Sequence, residues 1–159
     1  MQTGILPADT QAEFTPELLI DYTLPATAME YLDKMRRLCE ERGIELILVK
    51  APTNFWRYHW YDEWDEQVAA YADANGLAYY NLIPAASEIG LDMSTDTYDA
   101  GAHLNVYGAE KLTRYFGGIL RDGHAIPDSR TDSSASAVWQ KRVRAYYDRK
   151  TAMEAETKP

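Results

Sequence analysis

From Met29 onward the apolar residues fall at Met29, Leu32, Met35, Leu38 and Cys39. That three-to-four rhythm predicts a helix from about Ala28 to Arg42 with one apolar face. Thr27 followed by Glu30 has the form of a capping box at its start. Gly43 supplies the left-handed residue that ends it. The rhythm then stops. Ile44-Glu-Leu-Ile-Leu-Val49 is almost continuously aliphatic, the pattern of a strand buried on both faces of a parallel sheet, and Pro52 terminates it. A second helix is expected over about Trp56 to Ala74, closed by Asn75-Gly76, and a second, weaker strand over 77–82.

Residues 83–104 carry no period. A third helix is expected from about Val106 to Arg121, with Ala109, Leu112, Phe116 and Ile119 as its apolar stripe. Pro127-Asp-Ser-Arg-Thr-Asp-Ser-Ser is a polar turn segment. A last, charged helix over about Ala135 to Ala155 has a sparse apolar face of Val138, Trp139, Val143 and Tyr146, suited to the surface of the domain. The chain therefore reads as an irregular lead-in (1–26), an α/β body (27–123) and a C-terminal turn and helix (124–159). The order helix–strand–helix–strand–helix implies a parallel sheet with helices on both faces. Only two strands are patterned, whereas sheets average about five or six. The expectation is an incomplete sheet, the C-terminal part of a larger α/β domain whose first strands are missing.

Composition narrows the chemistry. The 159 residues, 46% hydrophobic and 26% charged, are enough for a packed core. A net charge of −9 repels phosphate backbones, so nucleic acid is excluded as a partner class. The single cysteine, Cys39, permits no intrachain disulfide. No apolar run approaches the roughly 18 residues of a membrane span. The N-terminus lacks the basic-then-apolar layout of a signal peptide, so the chain is expected to be soluble and not self-exporting.

The candidate chemistry sits in Asp96-Thr-Tyr-Asp99-Ala-Gly-Ala-His103-Leu-Asn105-Val-Tyr-Gly108-Ala-Glu-Lys111. An acidic loop delivers one histidine just before a helix. A serine-type hydrolase needs a histidine to take and return the hydroxyl proton, and a carboxylate to fix its tautomer. Asp99 lies four residues before His103 and Asp96 seven before, and a loop can turn either one to the imidazole. Gly101 permits a tight turn. The competing reading is a histidine that merely packs at a helix start, beside acids that solvate the loop. Asn105 reads first as the N-cap of the third helix.

The stretch Asp99-Ala-Gly-Ala-His103-Leu-Asn105-Val-Tyr-Gly108-Ala-Glu-Lys111 resembles the last sequence block of the SGNH/GDSL hydrolase superfamily, in its bacterial branch with a His-Leu-Asn-x-x-Gly-Ala-x-Lys run. Leu46-Ile-Leu-Val-Lys-Ala-Pro52-Thr-Asn54 resembles the strand and turn that precede that block, and Pro127-Asp-Ser-Arg130 with Trp139 resembles the family's C-terminal extension. The resemblance covers about residues 28–147. It implies a flavodoxin-like, three-layer α/β/α fold and a serine esterase or O-acyltransferase acting on a small-molecule or saccharide ester, with no cofactor or metal. It makes His103 the base and Asp99 the orienting acid. The family spacing is Asp-x-x-His; here the aspartate stands one residue further back, which keeps Asp96 as the alternative acid. Asn54 and Asn105 are the candidate oxyanion or substrate contacts. No serine stands in a Gly-Asp-Ser setting, so the nucleophile is expected from a missing N-terminal half or another chain.

Trp56, Trp60 and Trp64 recur every four residues and form a slanted stripe on a helix. It reads as a packing face, and alternatively as a wall for acyl or sugar groups, a surface for self-association, or the platform of a non-catalytic module that binds carbohydrate or a protein partner. Asp96, Asp99 and His103 in one loop, with no second histidine, are a poor metal set.

Overall fold

Helix α1 (Ala26–Glu41) opens on Pro25, whose carbonyl accepts the amides of Ala28 (2.9 Å) and Met29 (3.2 Å). This is visible in a computed structural model that describes residues 1–6, 21–54, 61–124, 126 and 128–156. No side chain caps this end, so the expected Thr27–Glu30 capping box does not form. The fixed φ of Pro25 (−54°) starts the helix two residues early, and Thr27 then lies inside the first turn, past the cap position. Gly43 (φ 62°) ends α1 as expected. The amide of Ile44 returns to the Cys39 carbonyl (2.8 Å) and that of Gly43 to Glu40 (3.1 Å), the paired bonds of a Schellman motif.

Strand β1 (Ile47–Lys50) runs parallel to β2 (Ala78–Asn81), with Ile47 opposite Ala78 and Lys50 opposite Asn81. Between them lies α2 (Tyr61–Ala74); residues 55–60, the expected first turn of this helix, lie outside the described residues. A second Schellman motif closes α2, with Leu77 N–H on Ala72 (2.9 Å) and Gly76 N–H on Asp73 (3.2 Å). The aliphatic run 44–49 is not buried on both faces. Its strand begins only at Ile47, Ile44 is 55% exposed and Val49 44%. Among the described residues β1 has a single neighbour, hence one paired edge and little to cover its outward side chains.

The chain forms two units, residues 10–86 and residues 1–9 with 87–159. In the first, polar contacts tie the helices together. Asp33 accepts from Arg36 Nη2 (2.8 Å) and from the Tyr71 hydroxyl (3.2 Å). Met29, Leu32, Asp33, Arg36 and Cys39 form the half-covered face of α1, while Met35 and Leu38 are exposed. The face is rotated from the expected apolar stripe because Asp33 and Arg36 turn inward to meet Tyr71. Gln67 of α2 fixes the lead-in, accepting from Leu24 N (2.9 Å) and donating to Tyr22 O (2.9 Å).

The second unit contains most of a short turn, α3 (Ala86–Ile89), then α4 (Val106–Gly123), a 3-10 turn (Ser129–Thr131) and α5 (Ser133–Glu156). The described protein is thus mixed α/β, mostly helical, with a two-stranded parallel sheet. None of its helices is long and apolar enough to cross a membrane. Helix α5 lies at the surface: none of its residues is buried, and Val138, Trp139 and Val143 of its sparse apolar face are each about half exposed. What seats α5 is polar. Glu110 of α4 accepts from Tyr146 (2.7 Å) and from Lys150 through both oxygens (2.8 and 2.9 Å), and Tyr107 donates to Glu154 (2.9 Å).

Candidate functional site

The segment joining α3 to α4 folds back on itself twice. Asp92 makes the first turn, its carbonyl accepting the amides of Thr95 (3.0 Å) and Asp96 (2.8 Å). Asp96 then points inward at 2% exposure. Its Oδ2 accepts from Asp92 N (2.8 Å) and from Lys111 Nζ (2.7 Å), one side-chain reach along α4. Its carbonyl takes the Asn105 amide (2.8 Å). Asp96 is therefore the pin between loop and helix, and its carboxylate is spent on Lys111 rather than on His103.

The second fold is a small hairpin. Thr97 bridges Leu104 in antiparallel fashion, and the Tyr98 amide donates to the His103 carbonyl (3.3 Å). At the tip Ala100 (φ 59°) and Gly101 (φ 92°) are both left-handed, the pattern of a type I′ turn. This tip places Asp99 directly against His103. Asp99 Oδ1 accepts the His103 backbone amide (2.6 Å), and Oδ2 lies 2.5 Å from His103 Nδ1. An ionised carboxylate can only accept, so Nδ1 carries a proton, and in the neutral ring Nε2 is the nitrogen with the free lone pair. Partial burial raises the Asp99 pKa, but the hydrogen bonds from the His103 ring and backbone outweigh it and leave the carboxyl below its ordinary value. Tyr98 stacks on the imidazole, its ring 5.9 Å away and 15° off parallel. The His103 side chain is 70% exposed and that of Asp99 33%. Among the described residues the ring makes no hydrogen bond besides the one to Asp99.

Asn105, 1% exposed, caps α4 by accepting from Tyr107 N (3.0 Å) and Gly108 N (3.2 Å). Its amide nitrogen serves the carbonyls of Thr95 (2.7 Å) and Gly4 (3.2 Å). Both donor hydrogens are committed to the scaffold, which leaves none for an oxyanion. Gly108 is forced by contact: a Cβ there would stand 2.6 Å from the Asp96 carbonyl oxygen.

Residues 1–6, expected as part of an irregular lead-in, prove to be a strap on this site. The Val106 amide donates to Gln2 O (2.8 Å) and Leu6 N to Thr97 O (3.1 Å). Ala100 N donates to Leu6 O (3.1 Å), which also accepts from the Thr97 hydroxyl (2.8 Å). The strap thus holds the left-handed Ala100 in place. Nothing in the sequence marked it, because it acts through backbone groups. Tyr98 and Lys111 were likewise missed as partners, since their roles depend on hairpin register and helix phase.

The remaining candidates lie apart from this cluster in role. Asn54 is exposed beyond β1, and Trp64 is half-buried on α2; Trp56 and Trp60 lie outside the described residues. The hydroxyls of Ser94 and Ser134 are turned back on Asp92 (2.5 Å) and Asp132 (2.7 Å). Among the described residues no three His, Cys, Asp or Glu side chains gather as a metal site. No family model, curated protein or solved structure matches the chain.

Proposed function

We propose that this chain supplies the acid–base pair of an ester hydrolase or O-acyltransferase of the SGNH type, on a flavodoxin-like α/β/α scaffold, with His103 as base and Asp99 as its orienting acid. One observation carries the reading. Both oxygens of Asp99 are engaged by one exposed histidine, one through its backbone amide and one through Nδ1. That double grip fixes ring position and tautomer together, as proton transfer at Nε2 requires. Nε2 takes the proton of an attacking hydroxyl as its oxygen bonds to the ester carbonyl carbon. The same proton then passes to the departing alkoxide as the carbonyl–oxygen bond breaks. Asp99 stays ionised throughout and stabilises the imidazolium. The hydroxyl is water, or one brought by the substrate or a second polypeptide.

The test is hydrolysis of p-nitrophenyl acetate by the purified chain beside His103→Ala and Asp99→Asn. A positioned base contributes roughly 100-fold or more, so His103→Ala should remove most of the protein-dependent rate and Asp99→Asn a smaller part. Equal rates for all three proteins would overturn the assignment. Labelling of the chain by a fluorophosphonate would reveal an internal nucleophile, and failure to label is the expected result.

A further inference from the structure

The polar seating of α5 leaves an apolar ridge uncovered. Trp139 is 59% exposed, Val143 49% and Tyr147 57%, and their spacing of four puts all three along one line of the helix. Beside the ridge runs an open groove of about 700 Å³ between α4 and α5. Arg114 and Arg142 stand on its two walls. The Arg142 guanidinium lies 5.6 Å from the Trp139 ring centre. Among the described residues neither arginine makes a close ion pair, although this chain has 25 acids for 16 bases; Glu110, which also lines the groove and feels the charge of Arg114, is bonded to Lys150. On the far flank of the ridge Arg144 is also without an ion pair among the described residues.

We propose that this groove is a docking site for an acidic amphipathic segment of a partner protein. The apolar ridge takes the segment's aliphatic face and Arg114 and Arg142 take its carboxylates, a pairing strengthened by the flat, forked guanidinium. Charge selects this occupant over a symmetric pair of α5 helices. From Trp139 to Arg149 the helix carries Lys141, Arg142, Arg144 and Arg149 against Asp148 alone, while Lys150 is paired with Glu110. Two such ridges face to face would bring like charges together, which costs rather than gains free energy. The assignment is independent of any chemistry at His103.

The probe is a fluorescein-labelled helical peptide with leucines on one face and glutamates on the other, and its lysine-for-glutamate counterpart, titrated with the full chain by anisotropy. The glutamate peptide should bind, weaken steeply as salt rises, and outbind the lysine peptide at least about tenfold. Arg114→Ala with Arg142→Ala should cost at least about tenfold, as should Trp139→Ala, with circular dichroism unchanged because these side chains are exposed. Equal binding of the two peptides, no binding of the glutamate peptide, or full binding by the double variant would each overturn the proposal. Sedimentation of the chain alone separates the remaining case. Self-association abolished by Arg142→Ala would make the occupant a second copy and overturn the assignment to a partner.

Discussion

Asp99 was legible as a candidate because a serine-type base needs a nearby carboxylate, but its spacing from His103 could not separate it from Asp96. The structure separates them by charge. Asp96 meets Lys111 in the interior, and Asp99 meets the imidazole. A lysine eight residues beyond the histidine gives no such signal until helix phase is known. Asp99→Asn keeps the shape but replaces one of the two accepting oxygens by an NH2 donor, so either Nδ1–H or the backbone amide of His103 loses the oxygen it faces. Nitrogen NMR of the His103 ring at alkaline pH should show the Nδ1–H tautomer in the parent and a shift toward Nε2–H in the variant; identical spectra would mean that Asp99 does not set the tautomer. The acid dependence has a definite sign. The Asp99 carboxyl lies below its ordinary range, so the clamp contributes fully above the unfolded value of about 3.9 and is lost as pH falls through the folded value. The tip holds strain as well. Ala100 sits at φ 59°, which costs an L-residue about 1 kcal/mol. Ala100→Gly should therefore raise stability by up to about 1 kcal/mol in urea denaturation. Gly108→Ala should lower it by about 1–3 kcal/mol, because the 2.6 Å clash is with backbone and not with a side chain that can swing away.

At the scale of elements, helices and their ends were readable where the signal is local. Gly43 and Gly76 closed their helices and Asn105 opened α4, since each acts on its own turn. Packing direction was not readable. Helix α1 turned its polar Asp33 and Arg36 inward because Tyr71 waits there, and a periodicity count assigns such residues to solvent. The strap of residues 1–6 was invisible for a related reason: backbone pairing has no side-chain code. Its importance is nevertheless testable. The amides of Ala100 and Val106 donate to Leu6 and Gln2. Deleting residues 1–6 should free both amides and speed their hydrogen exchange by more than about tenfold, with little change in the amides of α1. Unchanged protection at Ala100 would show that the hairpin holds its left-handed tip without the strap.

The composition of the molecule as a whole announced an acidic protein, but not that its α4–α5 pair would be joined by charge instead of by apolar surface. That arrangement makes the seating of α5 a function of pH. The Lys150 hydrogen bond, then that of Tyr146, holds the Glu110 carboxyl below its ordinary value, and Lys150 is raised in turn by Glu110. Burial first, and Glu110 second, push the Tyr146 hydroxyl up to about 12. A lowered carboxyl contributes stability that is complete above the unfolded glutamate value of about 4.3 and disappears as pH falls through the folded one. The raised lysine and tyrosine contribute stability that is complete below their unfolded values of about 10 and disappears as pH climbs through the folded ones. Between about pH 5 and 9 the seating of α5 should therefore be flat, with a fall on either side. Glu110→Gln removes the shared acceptor charge from both donors. It should cost roughly 1–2 kcal/mol near neutrality and erase the acid-side fall in α5 amide protection. Protection that declines with acid as steeply in Glu110→Gln as in the parent would mean that α5 is seated by something other than this network.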